Sequence, residues 1–128
     1  MKSRDSLIRI KRFHADEKRR QVAQMEAMIA EFERMAKELD DQVLAEQERS
    51  GIHDAGHFAY PTFAKAAMQR RDNLKTSAED MRAQLAAAAA ERDAAVAELE
   101  KAEAIAERDG IAEKSNAQAS QRGLAAAR

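Results

Sequence analysis

The sequence predicts an all-α protein made of two long helices folded into an antiparallel coiled-coil hairpin, on three observations. Apolar residues recur at alternating three- and four-residue spacing in each half of the chain. The only proline and two of the four glycines fall together between the halves. Composition agrees, because Ala, Glu, Lys, Leu and Arg dominate, 35% of the 128 residues are charged and only 4% are aromatic. Such a chain can bury a long thin seam but not a thick core.

In the first half the spacing selects Val22, Met25, Ile29, Phe32, Ala36, Leu39 and Val43, all apolar, with mostly charged residues between them. No glycine or proline interrupts the chain before Gly51, so helix one is expected over about residues 3–49. In the second half the same spacing selects Leu74, Ala78, Met81, Leu85, Ala88, Arg92, Ala95, Leu99, Ala102 and Ala106. Arg92 is the one exception to apolarity. Alanine at so many of these positions lets two backbones approach closely at no cost in helix propensity. Helix two is expected over about 62–109, with Pro61 suited to its first turn, where a missing N–H costs nothing. The connector, about 50–61, contains Gly51, Gly56 and Pro61.

Facing residues in an antiparallel hairpin have a constant sum, and a connector centred near residue 55 selects 110. Met25 then faces Leu85, Ile29 faces Met81, Phe32 faces Ala78, Ala36 faces Leu74, Val22 faces Ala88 and Val43 faces Ala67. Large residues meet small ones in several layers. Leu7, Ile10 and His14 stand one residue out of phase with this seam, so a stutter or a loosely paired stretch is expected near residues 7–21. An arm of forty residues spans roughly 60 Å. The hairpin is expected to occupy residues 1–109, leaving 110–128 as a frayed or disordered tail without a partner.

Net charge is −1, which gives no electrostatic case for nucleic acid or membrane binding by the whole chain. The charge is uneven, however. Residues 1–20 hold eight Lys/Arg against three Asp/Glu, while residues 38–48 hold five acids and no Lys or Arg. The basic stretch has a single neighbouring aromatic, Phe13, which is too little for a nucleic-acid module. With no cysteine, disulfide and thiolate chemistry are excluded. The first twenty residues lack the apolar run of a secretory signal, and the longest uncharged apolar stretch, 85–90, is too short to span a bilayer. A cytoplasmic protein without direct membrane insertion is expected.

No phosphate-binding loop, dinucleotide turn, nucleophile elbow or Cys-x-x-Cys pair is present. His53 and His57 have metal-like spacing, but the nearby glycines argue against a helix there and a third ligand is not obvious. No cofactor, metal or catalysis is expected. Phe58, Tyr60 and Phe63 put three of the five aromatics within six residues. They form either a small cluster that staples the turn or an exposed apolar patch offered to a partner.

A basic helix carrying Leu-Ile-Arg-Ile-Lys-Arg-Phe at 7–13, an uninterrupted seam, a broken turn ending in Tyr60-Pro61-Thr62-Phe63 and a second long helix together resemble the FliJ family. This is the coiled-coil component of the bacterial flagellar type III export apparatus. The resemblance runs from about residue 4 to residue 108. It implies a non-catalytic protein similar to the central stalk of rotary ATPases, at work in flagellum biogenesis and motility. Its implied partners are the hexameric export ATPase ring, the cytoplasmic part of a membrane export-gate protein and, in some members, export chaperones. It also implies a cytoplasmic location, peripheral to the inner membrane. By correspondence, Phe63 and the face running through Ala67, Arg70 and Leu74 are expected to bind the gate, and Phe58 and Tyr60 of the aromatic cluster complete this tip. Arg70 stands where the family has a small apolar residue, and the matching face of helix one reads Leu39, Gln42 and Glu46 where some members are aromatic. The basic end, Arg4, Arg9, Lys11 and Arg12, is expected to meet acidic loops inside the ATPase ring. A generic cytoplasmic coiled-coil scaffold or chaperone, unrelated to export, is the alternative, and it predicts homodimers where the hairpin predicts a monomer or weak self-association.

Spin labels at positions 25 and 85 should therefore lie in nanometre-scale contact in isolated monomers. Wide separation would reject the intramolecular hairpin.

Overall fold

The computed structural model describes the backbone of residues 2–126 and the side chains of residues 3–124. Two helices, α1 (Lys2–Ser50) and α2 (Thr62–Ala126), pack against each other as an all-α hairpin, with no strand among the described residues. The contacts divide into two units. One comprises the residues up to Arg19 together with those from Ala90 onward, and the other comprises Arg20–Ala89.

In the Arg20–Ala89 unit the buried residues are Val22, Ile29, Ala36, Val43, Tyr60, Ala64, Ala67, Ala78 and Ala88. Met25, Phe32 and Leu39 of α1 and Leu74, Met81 and Leu85 of α2 are half-buried between them. Apart from Tyr60, Ala64 and Ala67, these are the positions that the three-four spacing selects, and Ala67 is the residue that the sum of 110 sets opposite Val43. Their register is carried by charges on one flank. Arg71 donates to Asp40 at 2.7 Å, Lys75 lies 3.9 Å from the same carboxylate, and Arg82 pairs with Glu33. The outer face of α1 is laced by pairs one turn apart, Arg34 with Glu31 and Glu38, and Arg49 with Glu46. The arginine hydrogen bonds hold the Glu31 and Glu46 carboxyls below their ordinary range.

In the other unit, Ala15, Ala95 and Leu99 form the core, with Ile8 and Val96 packed against it. This corrects the expected stutter. The inward positions of α1 are Ile8, Lys11, Ala15 and Lys18, which keep the heptad spacing of Val22 and Val43, whereas Leu7, Ile10 and His14 stay exposed. Two lysines occupy seam positions because their aliphatic stems line the interface while their ammonium groups reach its edge. Lys18 lies 2.9 Å from Glu91 and Lys11 3.6 Å from Glu98, one residue from the partners that a sum of 110 assigns. Arg92, the polar exception on α2, turns to Asp93 on its own helix at 3.1 Å. Arg4 closes this unit, bonding Asp109 at 3.0 Å and Glu113 at 2.7 Å.

Beyond Glu113 α2 continues as helix to Ala126 with every described side chain exposed, so the segment expected to fray extends the helix instead. Met1, Ala127 and Arg128, the last two within that expected tail, lie outside the described residues. The seam spacing here falls on Asn116, Ser120 and Gly123, which leaves nothing to bury. An existing helix needs only propagation, and this alanine-rich stretch contains no proline to stop it.

α1 ends by a different device. Gly51 adopts φ +73° and its N–H donates to the Gln47 carbonyl at 2.9 Å, a left-handed cap that a side chain strains. Gly110, inside α2, has open space where a Cβ would stand. Gly51→Ala should therefore destabilise the protein by about 1 kcal/mol, whereas Gly110→Ala should increase helicity at high temperature. Thermal melts followed by circular dichroism distinguish the two, and equal effects would contradict the cap.

Candidate interaction surfaces at the turn and at the paired termini

The connector is built from consecutive turns. The Asp54 side chain accepts from Gly56 N–H at 2.9 Å while its carbonyl accepts from His57 N–H at 3.0 Å. The His57 carbonyl then accepts from Tyr60 N–H at 3.0 Å, and His57 Nδ1 accepts from Ala59 N–H at 3.0 Å. Lys65 N–H donates to the Pro61 carbonyl at 3.1 Å, which makes Pro61 the cap that starts α2.

These turns separate the three aromatics. Tyr60 points inward and is 7% exposed. Its hydroxyl accepts from Gln47 Nε2 at 2.9 Å and donates to Met68 Sδ at 3.3 Å, tying the end of α1 to the start of α2. Phe58 points outward and is 96% exposed, its ring stacked on His57 at a centroid distance of 4.7 Å. Phe63 is 58% exposed. The staple and the patch are thus both present but on different residues.

Of the remaining residues expected at this surface, Ala67 is buried between the helices and offers no face to a partner, which Tyr60 also lacks. Arg70 is exposed, and Leu74 is half-buried. Arg70 and Leu74 line a shallow groove with Met35, Asn73 and Ser77. The sequence reading missed Met35, Asn73 and Ser77. Met35 and Ser77 lie next to seam residues, which is the signal that would have placed them at its edge.

At the paired termini the four basic residues divide in the same way. Arg4 and Lys11 bind acids of α2, and the hydrogen bond that Arg4 donates to Glu113 raises the Arg4 pKa above its ordinary value. Arg9 and Arg12 are exposed and make no ion pair among the described residues. Beside them Leu7, Ile10 and Phe13 are 47%, 65% and 66% exposed. No group of three His, Cys, Asp or Glu among the described residues is arranged to hold a metal ion. Nor is any helix of the described residues long and apolar enough to cross a membrane.

Comparison with protein-family models, curated proteins and solved structures finds no match to this chain.

Tyr60→Phe should cost about 1 kcal/mol through the two lost hydrogen bonds and speed proteolysis within the connector. Phe58→Ser should leave the melting temperature unchanged, because that ring buries almost nothing. Equal melts for both variants would contradict the division of the aromatics.

Proposed function

We propose that this chain is a non-catalytic, FliJ-like component of the bacterial flagellar protein export apparatus. In this reading it binds the hexameric export ATPase through the surface at the paired termini. It binds the cytoplasmic domain of the export-gate membrane protein through the surface at the turn, and it works in the cytoplasm at the inner membrane. Export chaperones are further partners of the same reading.

The observation that carries the proposal is the exposure of Phe58 and Phe63 on either side of the Tyr60-Pro61 step, which joins two long helices packed as a hairpin. Large aromatics left in water on a chain with only five are costly unless a partner covers them. The Tyr-Pro-Thr-Phe segment that carries Phe63 is also the segment on which the family resemblance rests. The inward anchoring of Tyr60 supports the same reading, because it holds the connector in place while its neighbours face out.

A partner surface of this kind should concentrate its binding energy in a few aromatic side chains. The double substitution Phe58→Ala/Phe63→Ala should weaken binding of the purified gate cytoplasmic domain about tenfold or more. It should shrink swimming halos in soft agar and leave far-ultraviolet circular dichroism unchanged. Undiminished binding together with normal swimming would reject the assignment.

A further inference from the structure

Within the unit that holds both termini, the apolar surface is not confined to the seam. Leu7, Ile10 and Phe13 follow one another at three-residue spacing on α1, outside the line of Ile8 and Ala15 that meets the core, and all three are exposed. At Leu7 the stripe meets a groove between the helices whose lining includes Ile8, Ala102 and Ile105. Ile105 is itself 40% exposed, so the apolar surface runs from α1 across onto α2. Folding of the hairpin packs Ile8 against the core and half-buries Ala102 but leaves Leu7, Ile10 and Phe13 exposed.

Its two edges differ in charge. Arg9 precedes Phe13 by one turn and Arg12 follows Arg9 by one turn, and neither has an ion-pair partner among the described residues. On the opposite edge, beside Leu7, Arg4 and Lys11 are occupied by Asp109, Glu113 and Glu98. One edge is cationic and open, and the other is neutralised and lined with carboxylates.

We infer that this stripe is a docking face for a protein surface with an apolar centre and carboxylates placed to meet Arg9 and Arg12. The inference rests on the reading above and deepens it, since it assigns the ATPase contact to Leu7, Ile10 and Phe13 with two guanidiniums at their side. Arg4 and Lys11, although basic and nearby, belong to the hairpin and not to the contact. Charge complementarity selects protein over lipid. An anionic bilayer binds free cations along its whole contact, and the second edge offers none, because Arg4 and Lys11 are already paired with Asp109, Glu113 and Glu98. A folded partner can match both edges at once.

The test uses the full chain and the purified hexameric flagellar export ATPase as probe. Leu7→Ala/Ile10→Ala/Phe13→Ala should bind at least about tenfold more weakly at every salt concentration, with unchanged circular dichroism because all three side chains are exposed. Arg9→Glu/Arg12→Glu should weaken binding at low salt, with the deficit shrinking as salt rises. If the unaltered chain binds and the triple variant binds equally well, the inference fails while the proposed function stands. If the unaltered chain does not bind the ATPase at all, the proposed function fails and takes the inference with it. If the unaltered chain sediments with phosphatidylglycerol vesicles at about 0.15 M salt and the triple variant does not, the face is directed to lipid and the inference is overturned.

Discussion

The constraint on which this structure depends is close approach of two helices across a seam of small side chains. Among the described residues, seven of the twelve buried apolar residues are alanine, and no large side chain is fully buried. Each alanine layer contributes little apolar area, because burial scales with the surface removed from water. Stability therefore comes from many thin layers, helped by the high helix propensity of alanine and by pairs such as Lys18–Glu91 and Arg71–Asp40 that hold register from the edge. Bulky residues enter the seam at a few positions, among them Val22, Ile29, Val43 and Leu99. Elsewhere they are left outside, and this leaves apolar side chains free for other contacts.

The fold was legible in the sequence where burial and spacing coincide. Val22 through Val43 and, Arg92 apart, Leu74 through Leu99 lie where heptad spacing puts them, because each is apolar and buried or half-buried. The spacing misled near the N-terminus because it was read by apolarity alone. Lys11 and Lys18 are in phase with Val22, and their stems pack as a leucine would, so the correct register was present in residue types that a hydrophobic pattern ignores. The extension of α2 was missed for the opposite reason. The absence of a partner face after Glu113 correctly indicates exposure, but exposure alone does not end a helix when no proline or left-handed glycine intervenes.

The turn was legible only in part. Glycine and proline marked its limits, and the aromatic cluster marked it as unusual. Which ring goes inside depends on hydrogen bonds that have no period, donated by backbone N–H groups to Asp54 and His57 and by Gln47 to Tyr60. The basic N-terminal segment poses a similar problem, since its arginines and lysines are indistinguishable as a count. Only the positions of Asp109, Glu113 and Glu98 separate Arg4 and Lys11, which hold helices together, from Arg9 and Arg12, which do not.

The thinness of the seam also sets how this protein responds to temperature. The heat capacity of unfolding follows the apolar surface newly exposed to water, about 12–15 cal/mol/K per residue in ordinary globular domains. A chain whose interior is mostly methyl groups exposes much less, so its increment falls below that range. Its free energy of unfolding then varies with temperature along a shallow, nearly linear course, and cooling weakens it far less than it would a thick-cored domain of equal length.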